Sequence, residues 1–230
     1  MFNNFILKRE NHIKNHLEFN KEEEPLFNLN NIVDWSNIIA KKNALKGEKL
    51  RILELGTKRS NDNNPTNKKD FFKHINNLDY VMTDYQSGMD VDVVCDLHKT
   101  YEVFEDETFD LILSFSTFEH LKYPQLCAHN LMKMLKIGGR IFIQTHQSFP
   151  LHGYKYDYYR FSREALKSLF SIKMNFFTIT SYFTNSCAIV PHNDYGVWND
   201  VAESYLNVVY IGEKLDTTPY EYIYDIDNEN

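Results

Sequence analysis

From Phe109 to His146 the chain reads FDLILSFSTFEHL, a helical run, then LKIGGRIFIQTH, an order that few folds accept. It predicts a buried strand, a polar loop at its carboxyl end, a helix, a turn at Gly138 and Gly139, and a second buried strand. Two apolar strands joined through a helix run parallel, and a parallel sheet is covered on both faces. In such sheets ligands sit in the crevice beyond the strand carboxyl ends, so polar side chains there are candidates for chemistry. Ser114, Ser116, Glu119, His120, Thr145 and His146 fall in that layer.

The same alternation continues on both sides. LRILEL at 50–55 is an apolar run ending at Gly56, followed by a polar loop and then a helix of about ten residues from near Lys68. Further strands are expected at 79–83, ending in Asp84, at 91–95, ending in Asp96, and at 140–145, the last preceded by a helix over 123–136. An aromatic loop then leads to a helix capped by Ser162 with Glu164 in its first turn. NFFTITSYF and YLNVVYIGEKL read as two closing strands, an antiparallel pair at one edge. The fold class is therefore α/β, a seven-stranded, mostly parallel sheet with helices on both faces. Residues 1–48 are polar apart from Ile32, Val33, Trp35, Ile38 and Ile39, whose spacing fits a helix laid on the core. They are read as an N-terminal helical cap, with closure over a cofactor as the functional alternative, and 49–230 as one globular unit. The acidic ending DIDNEN is expected to fray.

A chain of 230 residues with 17 Phe and 15 Tyr can bury one substantial core. Its net charge of −7, with basic residues scattered, weighs against nucleic acid and favours a small-molecule acceptor. Cys95, Cys127 and Cys187 form no CxxC pair, which suggests buried thiols in a reducing compartment. The amino terminus has no signal-peptide pattern and no run reaches a membrane span, so a cytoplasmic protein without membrane contact is expected. Richness in Asn, Lys and Ile suggests an AT-rich bacterial genome. The oligomeric state stays open between monomer and homodimer, since the Tyr-rich loop suits an interface as well as a pocket.

Together these segments resemble the Rossmann-like class I methyltransferases that use S-adenosylmethionine, over about residues 48–212, with motifs of the type 11 group. RILELGTKRS supplies the acidic residue two before a glycine, Glu54 and Gly56, although the family usually keeps two or three glycines here. The resemblance implies that the glycine lets the cofactor approach the backbone. It also implies that Asp84 accepts hydrogen bonds from the ribose hydroxyls, and that Asp96 and Leu97 hold adenine. Thr57 and Ser114 complete the expected cofactor set. FPLHGYKYDYYRF is similar to a subgroup loop, F-P-x-H-x-x-x-x-D-Y-x-R-F, carried here by Phe149, Pro150, His152, Asp157, Tyr158, Arg160 and Phe161. For that subgroup the resemblance implies O-methylation of a small hydroxylated or phosphorylated metabolite, such as a surface-polysaccharide sugar or precursor. An N-methyltransferase and a non-catalytic, cofactor-binding partner subunit remain as alternatives.

Methyl transfer to a hydroxyl needs alignment of the acceptor and a group to take its proton. His120, His146 and His152 are the candidate bases. Tyr154, Asp157, Tyr158 and Arg160 are candidate acceptor contacts, Arg160 because its planar fork suits an anion. The alternative for Arg160 is that it pairs with Asp157 and locks the loop. No tight ligand spacing points to a metal, so none is expected; His146, His152, Asp157, His192 and Asp194 are the one combination considered.

Overall fold

The computed structural model describes residues 28–59, 65–190 and 202–224. Seven strands form one sheet: β1 Leu50–Leu55, β2 Leu78–Asp84, β3 Val93–Val94, β4 Phe109–Phe115, β5 Leu135–His146, β6 Phe176–Ile189 and β7 Ala202–Lys214. Their order across the sheet is β3-β2-β1-β4-β5-β7-β6. The first five strands pair in parallel, and β7 is antiparallel to both β5 and β6. The expected α/β sheet with its antiparallel closing pair is therefore present.

Period-two alternation sends successive side chains of each strand to opposite faces. Leu53, Leu55 and Ile112 join Leu131, Leu166 and Phe170 on one face. Leu50, Ile52, Leu111 and Leu113 join Ile32, Val33 and Ala40 on the other. The first face is covered by α2, Pro124–Met134, and α3, Arg163–Leu169; the second by α1, Leu29–Ala44. Asn28 caps α1, its side chain accepting from Asn30 N while Asn31 reaches back to Asn28 N. Ile32, Val33, Ser36, Ala40 and Asn43 are its buried residues; Ile38, expected in the apolar stripe, is 65% exposed because it points the other way. Asp110, beside the β4 core, accepts from Asn43 Nδ2 at 3.2 Å, Arg51 N at 2.8 Å and Lys136 Nζ at 3.0 Å. One carboxylate thus ties α1, β1, β4 and β5 together.

Three expectations are corrected. The helix foreseen from Lys68 is a single 3-10 turn, Lys69–Phe72, because Asn77, with φ +64°, already turns the chain into β2 at Leu78. β3 shrinks to two residues because the Asp92 carboxylate accepts from Met82 N at 2.9 Å, replacing a ladder bond. Gly138 and Gly139 do not separate a helix from a strand. Leu135 pairs with Phe109 and Arg140 with Leu111, so 136–139 bulge out within β5. Gly138 has φ +78°, and a Cβ on Gly139 would stand 2.8 Å from Lys136 O.

Candidate functional site

The parallel register brings the carboxyl tips of β1, β2, β4 and β5 to one layer, with Leu55 beside Thr83 and Ser114, and Phe115 beside Gln144. Beyond the tips lies a cleft of about 500 Å³, in the size range of small-molecule sites. Gly56, Asp84, Asp96 and Leu97, four of the residues expected at the cofactor, line it. Tyr85, Gln86, Cys95 and His98 extend that wall; Ser116, Thr117, His120 and Lys122 form the opposite one. Gly153, Tyr156 and Tyr158 reach in from the aromatic loop.

Asp84 ends β2 with each carboxylate oxygen bound once, Oδ2 by Lys58 N at 3.1 Å and Oδ1 by Gln86 N at 3.0 Å. Each oxygen keeps a second lone pair for a hydroxyl. Asp96 caps the turn Leu97–Glu102, accepting from His98 N at 3.0 Å and facing His98 Nδ1 at 2.7 Å. These residues fit the ribose and adenine of a nucleoside cofactor. Cys95 shares the wall, but burial, aided by the Asp96 and Glu102 charges, pushes its thiol up to about 11 and leaves it unreactive.

Three predicted cofactor residues are brought elsewhere. Glu54 is buried, accepting from Lys68 N at 2.9 Å and Tyr80 Oη at 2.7 Å, and holds the returning loop instead of the cleft wall. Burial raises its pKa, against those hydrogen bonds. Thr57 is also buried, and its hydroxyl donates to Asp90 O at 2.6 Å. Ser114 is fully buried inside the sheet, and the neighbouring Ser116 and Thr117 reach the cleft in its place. Gly56, with φ +69°, borders the cleft for a reason the sequence did not reveal. A Cβ there would meet Thr117 Oγ1 at 2.2 Å, so the space is filled by the β4 loop.

The aromatic loop is closed by Arg160. Its Nε donates to Phe149 O, Nη1 to Asp157 Oδ1 and Tyr159 O, and Nη2 to Pro150 O and Asp157 Oδ2. Those five bonds use all five guanidinium N–H groups, so Arg160 and Asp157 lock the loop and the anion-binding expectation for Arg160 is corrected. The Arg160 guanidinium, with the His152 N–H, holds the Asp157 carboxyl well below the usual range. Tyr154 is 97% exposed and does not line the cleft; Tyr156 does so instead, together with Tyr158.

The three candidate histidines meet around one carboxylate. Glu119, fully buried, accepts at Oε2 from Thr145 Oγ1 at 2.6 Å. Its Oε1 has no hydrogen-bond donor among the described residues and faces His146 Nε2 at 3.0 Å, and His120 Nε2 and His152 Nε2 at 3.8 Å each. Each imidazole turns its Nδ1 to an oxygen: His120 to Tyr156 O at 2.9 Å, His146 to Asn207 Oδ1 at 3.0 Å, His152 to Pro150 O at 3.1 Å. A neutral ring donating there presents an unprotonated Nε2 inward. Burial lowers the His146 pKa, opposed by the Glu119 charge. Sequence reasoning placed Glu119 in the polar layer but gave it no role, because its burial comes from loop 147–161 folding back: Tyr158 N and Tyr159 N donate to Glu119 O. His192 and Asp194, of the metal combination considered, lie outside the described residues.

Residues 67–143, from the approach to β2 through most of β5, match a family model described as a methyltransferase domain. No curated protein matches the chain. Among solved structures, DszA carbon methyltransferase superposes with a TM-score of 0.52 at 15% identity, over 82% of this chain and 54% of that one. A SAM-dependent methyltransferase from Archaeoglobus fulgidus does so at 0.51 and 14%, over 79% and 94%. The 1,6-didemethyltoxoflavin-N1-methyltransferase of Burkholderia thailandensis, bound to S-adenosylhomocysteine, gives 0.50 and 15%, over 80% and 78%. The chain spans little more than half of two carbon methyltransferase chains, DszA at 54% and CurJ at 59%. At these identities the superpositions establish the fold. No helix among the described residues is long and apolar enough to cross a membrane. The methyltransferase-domain match thus falls on β2 to β5 of a sheet that has the fold of the class I methyltransferases.

Proposed function

We propose that the protein O-methylates a small hydroxylated or phosphorylated metabolite, with a bacterial surface-polysaccharide sugar or precursor as the first class of acceptor. The observation that carries this reading is the convergence of Glu119, His120, His146 and His152 beside the cofactor cleft, which His120 itself lines. When bound, S-adenosylmethionine supplies a methyl group on a sulfonium, open to in-line displacement. In this reading Asp84 binds the ribose hydroxyls, and Asp96 and Leu97 the adenine. Tyr156 and Tyr158 give the acceptor apolar walls with polar tips, the form that suits a sugar ring. The inward lone pairs of the imidazoles favour loss of the hydroxyl proton, with His120 nearest the cleft. Because Arg160 is spent within its loop, it orders the acceptor wall and makes no ionic contact with the acceptor.

The fold does not select the acceptor atom, since carbon and nitrogen methyltransferases share it. The test is turnover of methyl-labelled S-adenosylmethionine with sugars, nucleotide sugars and phosphorylated metabolites. The expected result is label recovered as a methyl ether. Label on nitrogen or carbon, or cofactor binding without turnover across the panel, would overturn the proposal, the latter in favour of a partner subunit.

A further inference from the structure

Two imidazoles and a buried carboxylate bring ligand atoms to one place. Among the described residues, the ligand atoms of Glu119, His120 and His152 all lie within 4.8 Å of one another. His146 Nε2 stands outside that group, 3.0 Å from Glu119 Oε1. The three ring centroids stand 4.8–4.9 Å apart between His152 and its two neighbours, with the rings turned edge to face. A buried carboxylate oxygen without a donor is costly unless something positive lies against it. Here three imidazole nitrogens approach the same oxygen, and each ring's other nitrogen is already committed to a carbonyl or amide oxygen. That outer contact is the one metal-ligating histidines make to fix their tautomer. Bonds of about 2.0 Å to a tetrahedral cation set neighbouring donors about 3.3 Å apart. The separations of His120 Nε2 and His152 Nε2 from Glu119 Oε1, 3.8 Å each, lie close to that value.

We propose that Glu119, His120 and His152 form a binding site for a first-row divalent transition metal, with Zn²⁺ as the first candidate. Two imidazole nitrogens and one carboxylate oxygen match a borderline cation; Mg²⁺ and Ca²⁺ prefer oxygen-only sites. The ligands come from the loop after β4 and the aromatic loop. Metal binding therefore fastens that loop, already locked by Arg160, to the sheet. The metal's part in catalysis rests on the function proposed above. Near the acceptor hydroxyl a bound metal would replace the His120 and His152 lone pairs that it occupies, offsetting the charge left as the proton departs to water, the C–O bond forms and the methyl–sulfur bond breaks with its electrons going to sulfur.

The test is calorimetric titration of untagged, chelator-treated protein with Zn²⁺, Co²⁺ and Mg²⁺, repeated with S-adenosylhomocysteine on the same samples. His120→Ala and His152→Ala are the variants of choice, since these side chains are 30% and 29% exposed and their loss leaves the core intact. The expected result is one Zn²⁺ or Co²⁺ per chain, no saturable Mg²⁺ binding, and Zn²⁺ binding weakened at least about 100-fold in each variant. Absence of Zn²⁺ binding by the folded protein, or binding unchanged in both variants, would overturn the site. Zn²⁺ binding without S-adenosylhomocysteine binding would support the site and refute the cofactor assignments instead.

Discussion

Gly56 stands at the tip of β1 with φ +69°, and the place of its missing Cβ is taken by Thr117. The Thr117 hydroxyl donates to Phe115 O at 3.0 Å and to Leu55 O at 3.4 Å. Gly56→Ala puts a methyl 2.2 Å from Thr117 Oγ1 and 3.2 Å from its Cβ and Cγ2, so rotating the side chain exchanges one clash for another. The left-handed backbone costs an alanine about 1–2 kcal/mol. Loss of the Thr117 hydrogen bond adds about 1 kcal/mol, and overpacking about 1–3 kcal/mol. The expected destabilisation is about 3–6 kcal/mol, read from urea midpoints at constant m value. In Gly56→Ala/Thr117→Ala the overpacking is relieved and the hydrogen bond is lost only once, so the double variant should cost about 2–4 kcal/mol less than the sum of the singles. If Gly56→Ala folds within about 0.5 kcal/mol of wild type, or the two changes add, then the glycine serves the cofactor alone and this packing argument fails.

Asp110→Ala strands a backbone N–H of Arg51 and the Lys136 ammonium, and should cost about 2–4 kcal/mol by denaturant unfolding; a change below 1 kcal/mol would refute its role as a tie. Arg160→Gln should loosen the aromatic loop, seen as faster proteolysis between 149 and 161, and raise the acceptor KM without weakening cofactor binding. The same pair sets an acid limit. Because Asp157 is held below the ordinary carboxylate pKa, its share of loop stability is complete above about pH 4 and is lost only as the pH falls through the depressed value. In Arg160→Gln that loss should move up toward pH 4, which loop proteolysis against pH would register; an unmoved acid limb would contradict the lock.

The sheet was legible because its strands are apolar on both faces and end in Gly56, Asp84 and Asp96, a pattern that period and turn chemistry expose. The bulge at Gly138 and Gly139 was not, because it is set by Leu135 pairing with Phe109, a contact between strands. Of the residues expected at the cofactor, Asp84, Asp96 and Leu97 line the cleft, whereas Glu54, Thr57 and Ser114 do not. Those three share the same strand tips, but their side chains turn inward to Lys68, Asp90 and the sheet interior. All three histidines were singled out by position, yet their meeting at Glu119 depends on a loop returning more than thirty residues later in sequence, and spacing cannot encode that closure. For Arg160, FPxHxxxxDYxRF offered two readings, and only the count of its hydrogen bonds decides for the lock.

In the proposed reading the cleft beyond β1, β2 and β4 holds S-adenosylmethionine with its ribose on Asp84. The decisive measurement is calorimetric titration of S-adenosylhomocysteine into wild type and Asp84→Ala. One site per chain is expected, weakened about 100-fold by loss of two hydrogen bonds to a charged carboxylate, with folding unchanged. Binding equal in the two proteins, or no binding to folded wild type, would contradict it.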